Sequence, residues 1–255
     1  MKLKIAIVGA GSREFGPATV ADVLLSDPIC ERDLALTLMD LDASSVERTR
    51  TYAQACAEAL DREVRVDATT ALEDALRDTD YVILSIERRR YFYWAQDFHI
   101  PRKLGFRQIY GENGGPGGLF HALRGMGPCV EVARAMDRVC PEAWLLNYTN
   151  PLTKLCEQLA RTSEVTTVGL CHGVFDGMKQ IAAFLERPVD EIECEASSGF
   201  RSSKSRSIDS TSAPAAHPQT NTTHNETIRL RIILPPAFLD SFLSPHILIS
   251  EEPHL

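Results

Sequence analysis

Lys4-Ile5-Ala6-Ile7-Val8-Gly9-Ala10-Gly11-Ser12-Arg13-Glu14-Phe15 opens with a continuous apolar run that leads directly into a glycine turn. The run is too short for a helix, and its apolar continuity is that of a strand buried on both faces. A second apolar run, Leu34 to Met39, closes on Asp40-Leu41-Asp42. Strand, glycine turn, helix and a second strand ending in acid can place a dinucleotide pyrophosphate on a helix N-terminus and a carboxylate on its ribose. The order therefore predicts NAD as cofactor, with Gly9, Gly11, Ser12, Arg13, Phe15 and Asp40 as the cofactor-binding set. Gly9 gives the tight turn and Gly11 the close backbone approach. The third glycine of the usual pattern is missing, since Glu14 holds its place, so the following helix is expected to pack differently on the sheet. Asp42 is the expected N-cap of a helix over Ser44–Leu60.

Further along, Val64–Val66 reads as a third strand. A short helix follows over Thr69–Leu76, capped by Thr69 or Thr70, and Asp80–Ile86 reads as a fourth strand. The chain is thus α/β, a doubly wound, Rossmann-like parallel sheet. After the fourth strand, Arg88, Arg89 and Arg90 sit among Tyr91, Phe92, Tyr93 and Trp94. This is the strand end at which open α/β sheets bind ligands, and a cluster of guanidinium groups there suits an anionic one. The competing reading is a solvated basic turn entering a helix, Tyr91–Leu104.

Tyr110-Gly111-Glu112-Asn113-Gly114-Gly115-Pro116-Gly117-Gly118 is too rich in glycine for a helix or central strand, and predicts a loop carrying Glu112 and Asn113 close to a ligand. A helix to Val139 is then expected from Leu119 or Phe120, kinked near Pro128. Trp144–Tyr148 reads as a strand, and Pro151 opens a helix. Asn150 is either that helix's N-cap, the commoner job before proline, or a group facing the crevice. Thr166–Val174 reads as a strand running into a Cys-His-Gly turn, with a helix over Gly177–Leu185.

Composition narrows the function classes. A net charge of −8 argues against general nucleic-acid binding and against docking on an anionic membrane. No apolar run reaches a membrane span, and Met1-Lys2-Leu3-Lys4 leads straight into a core strand rather than a signal peptide. The 7 cysteines are scattered and form no C-x-x-C pair, which reads as reduced, cytoplasmic usage without a structural zinc site. From Ser197 to Thr227 the chain is crowded with Ser, Thr, Asn, Pro and His and is too polar to fold by itself. Ile228–Leu248 turns apolar without a steady period. The expected division is therefore 1–196, a cofactor domain with part of an active site, and 197–255, a low-complexity, poorly packed tail.

Gly9-Ala10-Gly11-Ser12, Tyr110–Gly118, Asn150-Pro151 and Cys171-His172-Gly173-Val174 together resemble glycoside hydrolase family 4 over roughly residues 1–196. These are NAD- and divalent-metal-dependent glycosidases, an exception to two-carboxylate chemistry. The resemblance implies a fold like that of lactate and malate dehydrogenases, a homo-oligomer, and a small-molecule glycoside as substrate. The Cys-His-Gly-Val tetrapeptide is similar to that of the family's α-galacturonidases, which implies a uronic acid glycoside. The implied reaction is redox-assisted elimination. NAD takes hydride from carbon 3, a tyrosine removes the carbon-2 proton, a metal, usually Mn2+, stabilises the charge, the aglycone leaves, water adds and the hydride returns. In that scheme Cys171 ligates the metal, His172 is the proton donor and Glu112 supports the tyrosine. Asn150 and Asn113 hold substrate, and Arg88, Arg89 or Arg90 faces a sugar carboxylate.

The chain departs from the family pattern after Ala196. The expected Asn-His metal segment near Phe200 is absent, and no tyrosine follows Tyr148. The reading is a frameshifted or misjoined tail on an inactive, truncated enzyme whose cofactor half binds NAD poorly on its own and leaves an apolar face uncovered. Two other readings stand beside it. One is an NAD-dependent 2-hydroxy-acid dehydrogenase, which needs a His–acid pair and no Cys-His turn. The other is a non-catalytic NAD-binding domain.

Overall fold

A computed structural model describes residues 2–108, 111–112, 114–171, 173–196 and 228–232. Six parallel strands form one sheet in the order β3-β2-β1-β4-β5-β6. They are β1 (Lys2–Val8), β2 (Asp33–Met39), β3 (Arg65–Thr69), β4 (Tyr81–Leu84), β5 (Trp144–Asn147) and β6 (Thr166–Gly169). The chain leaves β1 toward one edge and returns through β4 toward the other. The switch point of this doubly wound sheet therefore lies between β1 and β4, and its crevice at their carboxyl ends.

Each face of the sheet has its own core, as a parallel sheet requires. On one face α1 (Phe15–Leu25) and α3 (Ala43–Ala59) cover Ile5, Ile7, Leu36 and Leu38 with Val20, Leu24, Val46 and Ala53. On the other, α4 (Leu72–Leu76), α6 (Gly115–Val139) and α7 (Leu152–Thr162) cover Val8, Val82, Leu84 and Leu145 with Leu76, Met136, Leu155 and Leu159. The short α2 (Asp27–Cys30) follows α1, and α5 (Arg90–Lys103) precedes α6.

The missing third glycine has a substitute. Gly16, in the first turn of α1, lies so close to the β1 turn that a Cβ there would sit 2.1 Å from the Ala10 carbonyl oxygen. The close packing of helix on strand is kept, with the glycine two positions later than the usual spacing puts it. Asp42 caps α3 as expected, its carboxylate accepting the Ser44 and Ser45 N–H groups.

Four boundaries differ from the sequence reading. Thr69 ends β3 instead of capping a helix; its hydroxyl accepts the Ala71 N–H at 3.0 Å, and α4 starts at Leu72. Gly115–Gly118 belongs to α6, because Pro116 suits a first helical turn and Gly117 is pressed against the α5 backbone at Asp97. Asn150 does not cap α7: Pro151 flanks the helix without a side-chain cap, and the Asn150 side chain turns elsewhere. β6 ends at Gly169, and Gly173 and Val174 already belong to α8 (Gly173–Leu185).

Leu170 closes the main stretch of one compact unit, and Cys171 opens a second. In that second unit, β7 (Ile192–Ala196) pairs in parallel with β8 (Ile228–Ile232). Ile228-Arg229-Leu230-Arg231-Ile232 alternates apolar and charged residues, a strand signal within a stretch expected to have no period. The rest of the expected tail, 197–227 and 233–255, lies outside the described residues.

Gly16→Ala is expected to cost about 1–3 kcal/mol in urea denaturation, because the clash is with backbone. Gly127→Ala in α6, where a Cβ meets nothing within 4 Å, should gain up to about 1 kcal/mol from helix propensity.

Candidate active site

The strand ends of the crevice are tied together by backbone. Gly9, at φ +92°, lets β1 turn sharply, and the N–H groups of Gly9 and Ala10 both donate to the Met39 carbonyl at 2.9 and 3.0 Å. The Asp40 carboxylate then spans two loops, accepting the Gly11 N–H at 2.9 Å and the Asp42 N–H at 3.1 Å. A Cβ on Gly11 would lie 2.7 Å from that carboxylate, so only glycine fits between the turn and the acid. The Ser12 hydroxyl accepts the Phe15 N–H at 3.2 Å and fixes the entry to α1. Phe15 stays partly exposed and meets the Tyr148 ring at 5.7 Å between centroids. Arg13 is exposed beside them. All six candidate cofactor residues thus gather at the ends of β1 and β2 and the start of α1.

At the ends of β4 and β5 a second group converges. Asn147, fully buried, accepts the Thr149 N–H at 3.0 Å and donates back to the Thr149 carbonyl at 3.3 Å. The Thr149 hydroxyl accepts the Ile86 N–H at 3.1 Å, joining the loops after β4 and β5. This holds the turn, with its cis Asn150-Pro151 peptide, in front of the glycine loop. The Asn150 amide nitrogen there donates to Glu112 Oε1 at 3.2 Å. Glu112 Oε2 is 2.9 Å from Arg90, which also pairs with Glu87. Burial lowers the Arg90 guanidinium, but the Glu87 hydrogen bond and the Glu112 charge outweigh it, leaving a net upward shift.

The three arginines therefore have three different environments. Arg90 is committed to two carboxylates. Arg89 takes the left-handed conformation at φ 49°, a strained one for a residue with a Cβ, and lies 4.8 Å from the Phe92 ring centroid. Arg88 is exposed.

Behind Arg90 lies a buried polar cluster that sequence reasoning missed. Asp97 accepts two bonds from Arg124, which also stacks over Tyr93 at 4.8 Å. His121 is inserted between the two acids, its Nδ1 3.5 Å from Asp97 and its Nε2 3.8 Å from Glu87. Asp97, His121 and Arg124 come from two helices and form no local motif. The one available signal was a pair of charged residues and a histidine at the inner, otherwise apolar positions of α5 and α6.

Cys171 is exposed, and its sulfur accepts the Gly173 N–H at 3.4 Å. His172 and Asn113 lie outside the described residues. Among the described residues no cluster of three or more His, Cys, Asp or Glu side chains is arranged to hold a metal. No helix among them is long and apolar enough to cross a membrane.

The family 4 glycosyl hydrolase model matches residues 4–187, a span that includes the glycine turn, the Glu112 loop, the Asn150 turn and Cys171. The chain belongs to glycosyl hydrolase family 4. Within this family it is 35% identical to an alpha-glucosidase of Erwinia rhapontici over 198 residues, 77% of this chain and 43% of that one. It is 34% identical to an alpha-galacturonidase of Thermoanaerobacter italicus over 195 residues, 75% of this chain and 41% of that one. A solved 6-phospho-alpha-glucosidase from gut microorganisms, in complex with NAD and Mn2+, shares the fold at TM-score 0.66 and 24% identity, over 75% of this chain and 43% of its own. The family 4 chain described here thus spans less than half the length of these relatives.

Two measurements check the geometry. Asp97→Ala should cost about 3 kcal/mol in urea denaturation, since it leaves Arg124 without its buried partner, whereas Arg88→Ala should stay within about 0.5 kcal/mol. Burial pushes the Cys129 thiol up to about 12 and the Cys140 thiol up to about 11. In native labelling with iodoacetamide at pH 8, Cys171 should react while Cys129 and Cys140 stay protonated and unmodified until urea is added, as read by peptide mass spectrometry.

Proposed function

We propose that this chain provides the NAD cradle and one wall of the sugar site for hydrolysis of α-galacturonides by redox-assisted elimination. The observation that carries this reading is the convergence of two groups at the carboxyl edge of one sheet. One is the Gly9–Gly11 turn with Asp40; the other is the Asn150–Glu112 pair. Family membership and the NAD and Mn2+ held by the related 6-phospho-alpha-glucosidase support it.

When bound, NAD supplies a reversible hydride acceptor and Mn2+ a Lewis acid. The described residues offer the metal one thiol, Cys171, and no cluster, so the chain's own contribution is derived from binding and proton transfer. Asp40 accepts the ribose hydroxyls of the dinucleotide, and Gly11 lets its phosphates approach the backbone. Asn150, steadied by Glu112, presents its amide to sugar hydroxyls, a task Asn113 shares in this reading. Glu112 raises the basicity of the group that removes the carbon-2 proton. His172 donates a proton to the glycosidic oxygen as its bond to carbon 1 breaks, a task suited to imidazole near neutral pH. Arg90 is occupied by two acids, which leaves Arg88 and Arg89 to meet the carboxylate of a uronic acid. Cys30, Cys56, Cys129, Cys140, Cys156 and Cys171 are free thiols, which fits a reducing, cytoplasmic setting.

The test is release of nitrophenol from aryl α-galacturonide, α-glucoside and α-galactoside, with NAD, Mn2+ and reductant supplied or withheld one at a time. The expected result is no release by this chain alone and, once a complete second half is restored after Ala196, release from the galacturonide only, dependent on all three additions. Net NADH formed from malate or lactate without nitrophenol release would move the reading to a dehydrogenase. Asp40→Ala should weaken NAD binding about 10- to 100-fold in calorimetry, the loss of a hydrogen bond to a charged group.

A further inference from the structure

Asn150 is placed by a chain of contacts that runs away from the crevice and into the protein. Its amide nitrogen is held by Glu112 at 3.2 Å, and Glu112 by Arg90 at 2.9 Å. Arg90 is held in turn by Glu87. The Glu87 side chain is 25% exposed; Arg90 holds one of its carboxylate oxygens, and a further contact meets the other. That contact comes from α6. His121 is 7% exposed; its Nε2 lies 3.8 Å from Glu87 Oε1 and its Nδ1 3.5 Å from Asp97, both ion-pair distances without a well-formed hydrogen bond. Asp97 is itself pinned by both Arg124 nitrogens. A protonated imidazole donates from both nitrogens of a rigid ring, and in that form it spaces two carboxylates at a fixed separation.

We propose that His121 is a positioning residue for the sugar site, holding Glu87 and, through Arg90 and Glu112, fixing which end of the Asn150 amide faces the ligand. Because the nitrogen end is turned to Glu112, the Asn150 carbonyl oxygen is the end presented, an acceptor for sugar hydroxyl protons. The proposal rests on the reading of Asn150 as a sugar-binding residue, but the relay itself is measurable without any sugar.

Two variants separate relay from packing. Glutamine places an N–H donor where His121 Nε2 lies, toward Glu87. Asparagine places one where Nδ1 lies, toward Asp97, and leaves Glu87 unheld. In the 15N-labelled full chain, the side-chain signals of Arg90 Nε and Asn150 Nδ2 are assigned by their loss in Arg90→Lys and Asn150→Asp. His121→Asn should shift both signals, whereas His121→Gln should leave both near their original positions. Val132→Ala, a packing change in the same helix, should also leave them in place. A double-mutant cycle between His121→Asn and Asn150→Ala should show coupling above about threefold in the unfolding equilibrium, more than independent sites give. Equal shifts in His121→Asn and His121→Gln, or none in either, together with additive stabilities, would overturn the relay. If the relay is found but no aryl glycoside is cleaved, the failure belongs to the functional reading and not to His121.

Discussion

A parallel strand reaches its neighbour only by a crossover that packs on one face of the sheet, and this constraint organises everything else in the chain. Crossovers from β1 to β2 and from β2 to β3 use one face; those from β4 to β5 and from β5 to β6 use the other. The loops leaving β1 and β4 therefore diverge, and the gap between them is open at one edge only. Gly9, Asp40, Glu87 and Asn150 all lie on loops at that edge. None of them contributes to the apolar cores, so their chemistry is set by loop contacts rather than by core packing.

Those contacts are mostly backbone to side chain. Asp40 bonds the N–H groups of Gly11 and Asp42, and Thr149 bonds Ile86. Each replaces water that a loop amide would otherwise need, so the loops keep their shape without a ligand to order them. The floor of the crevice is thus preformed, which lowers the ordering cost of binding.

The six strands of the main sheet and the Gly9–Gly11 turn were legible because they depend on local pattern. Apolar runs bounded by glycine and acid identify β1 and β2, and Asp42 followed by Ser44 and Ser45 announces a capped helix. The glycine loop was misread at Gly115–Gly118 because composition argues against a helix while Pro116 and the space beside Asp97 favour one; tertiary fit outweighed propensity. Asn150 was legible as a choice between two roles; the structure removes the cap, since Pro151 flanks α7 without a side-chain cap, and turns the Asn150 amide to Glu112. The Asp97–His121–Arg124 cluster was not legible, since its partners stand 24 and 27 residues apart in the chain and meet only when α5 packs on α6.

The Asn147–Thr149 staple also separates the floor of the crevice from its rim. It anchors the Asn150 turn to buried backbone, while Arg88, exposed, and Arg89, stacked over Phe92, stand outside it on the rim. Residues on the rim can be exchanged without disturbing the floor beneath. Exchanging a rim arginine would therefore change the charge at the mouth of the crevice while the buried bonds that hold the Asn150 turn stay intact.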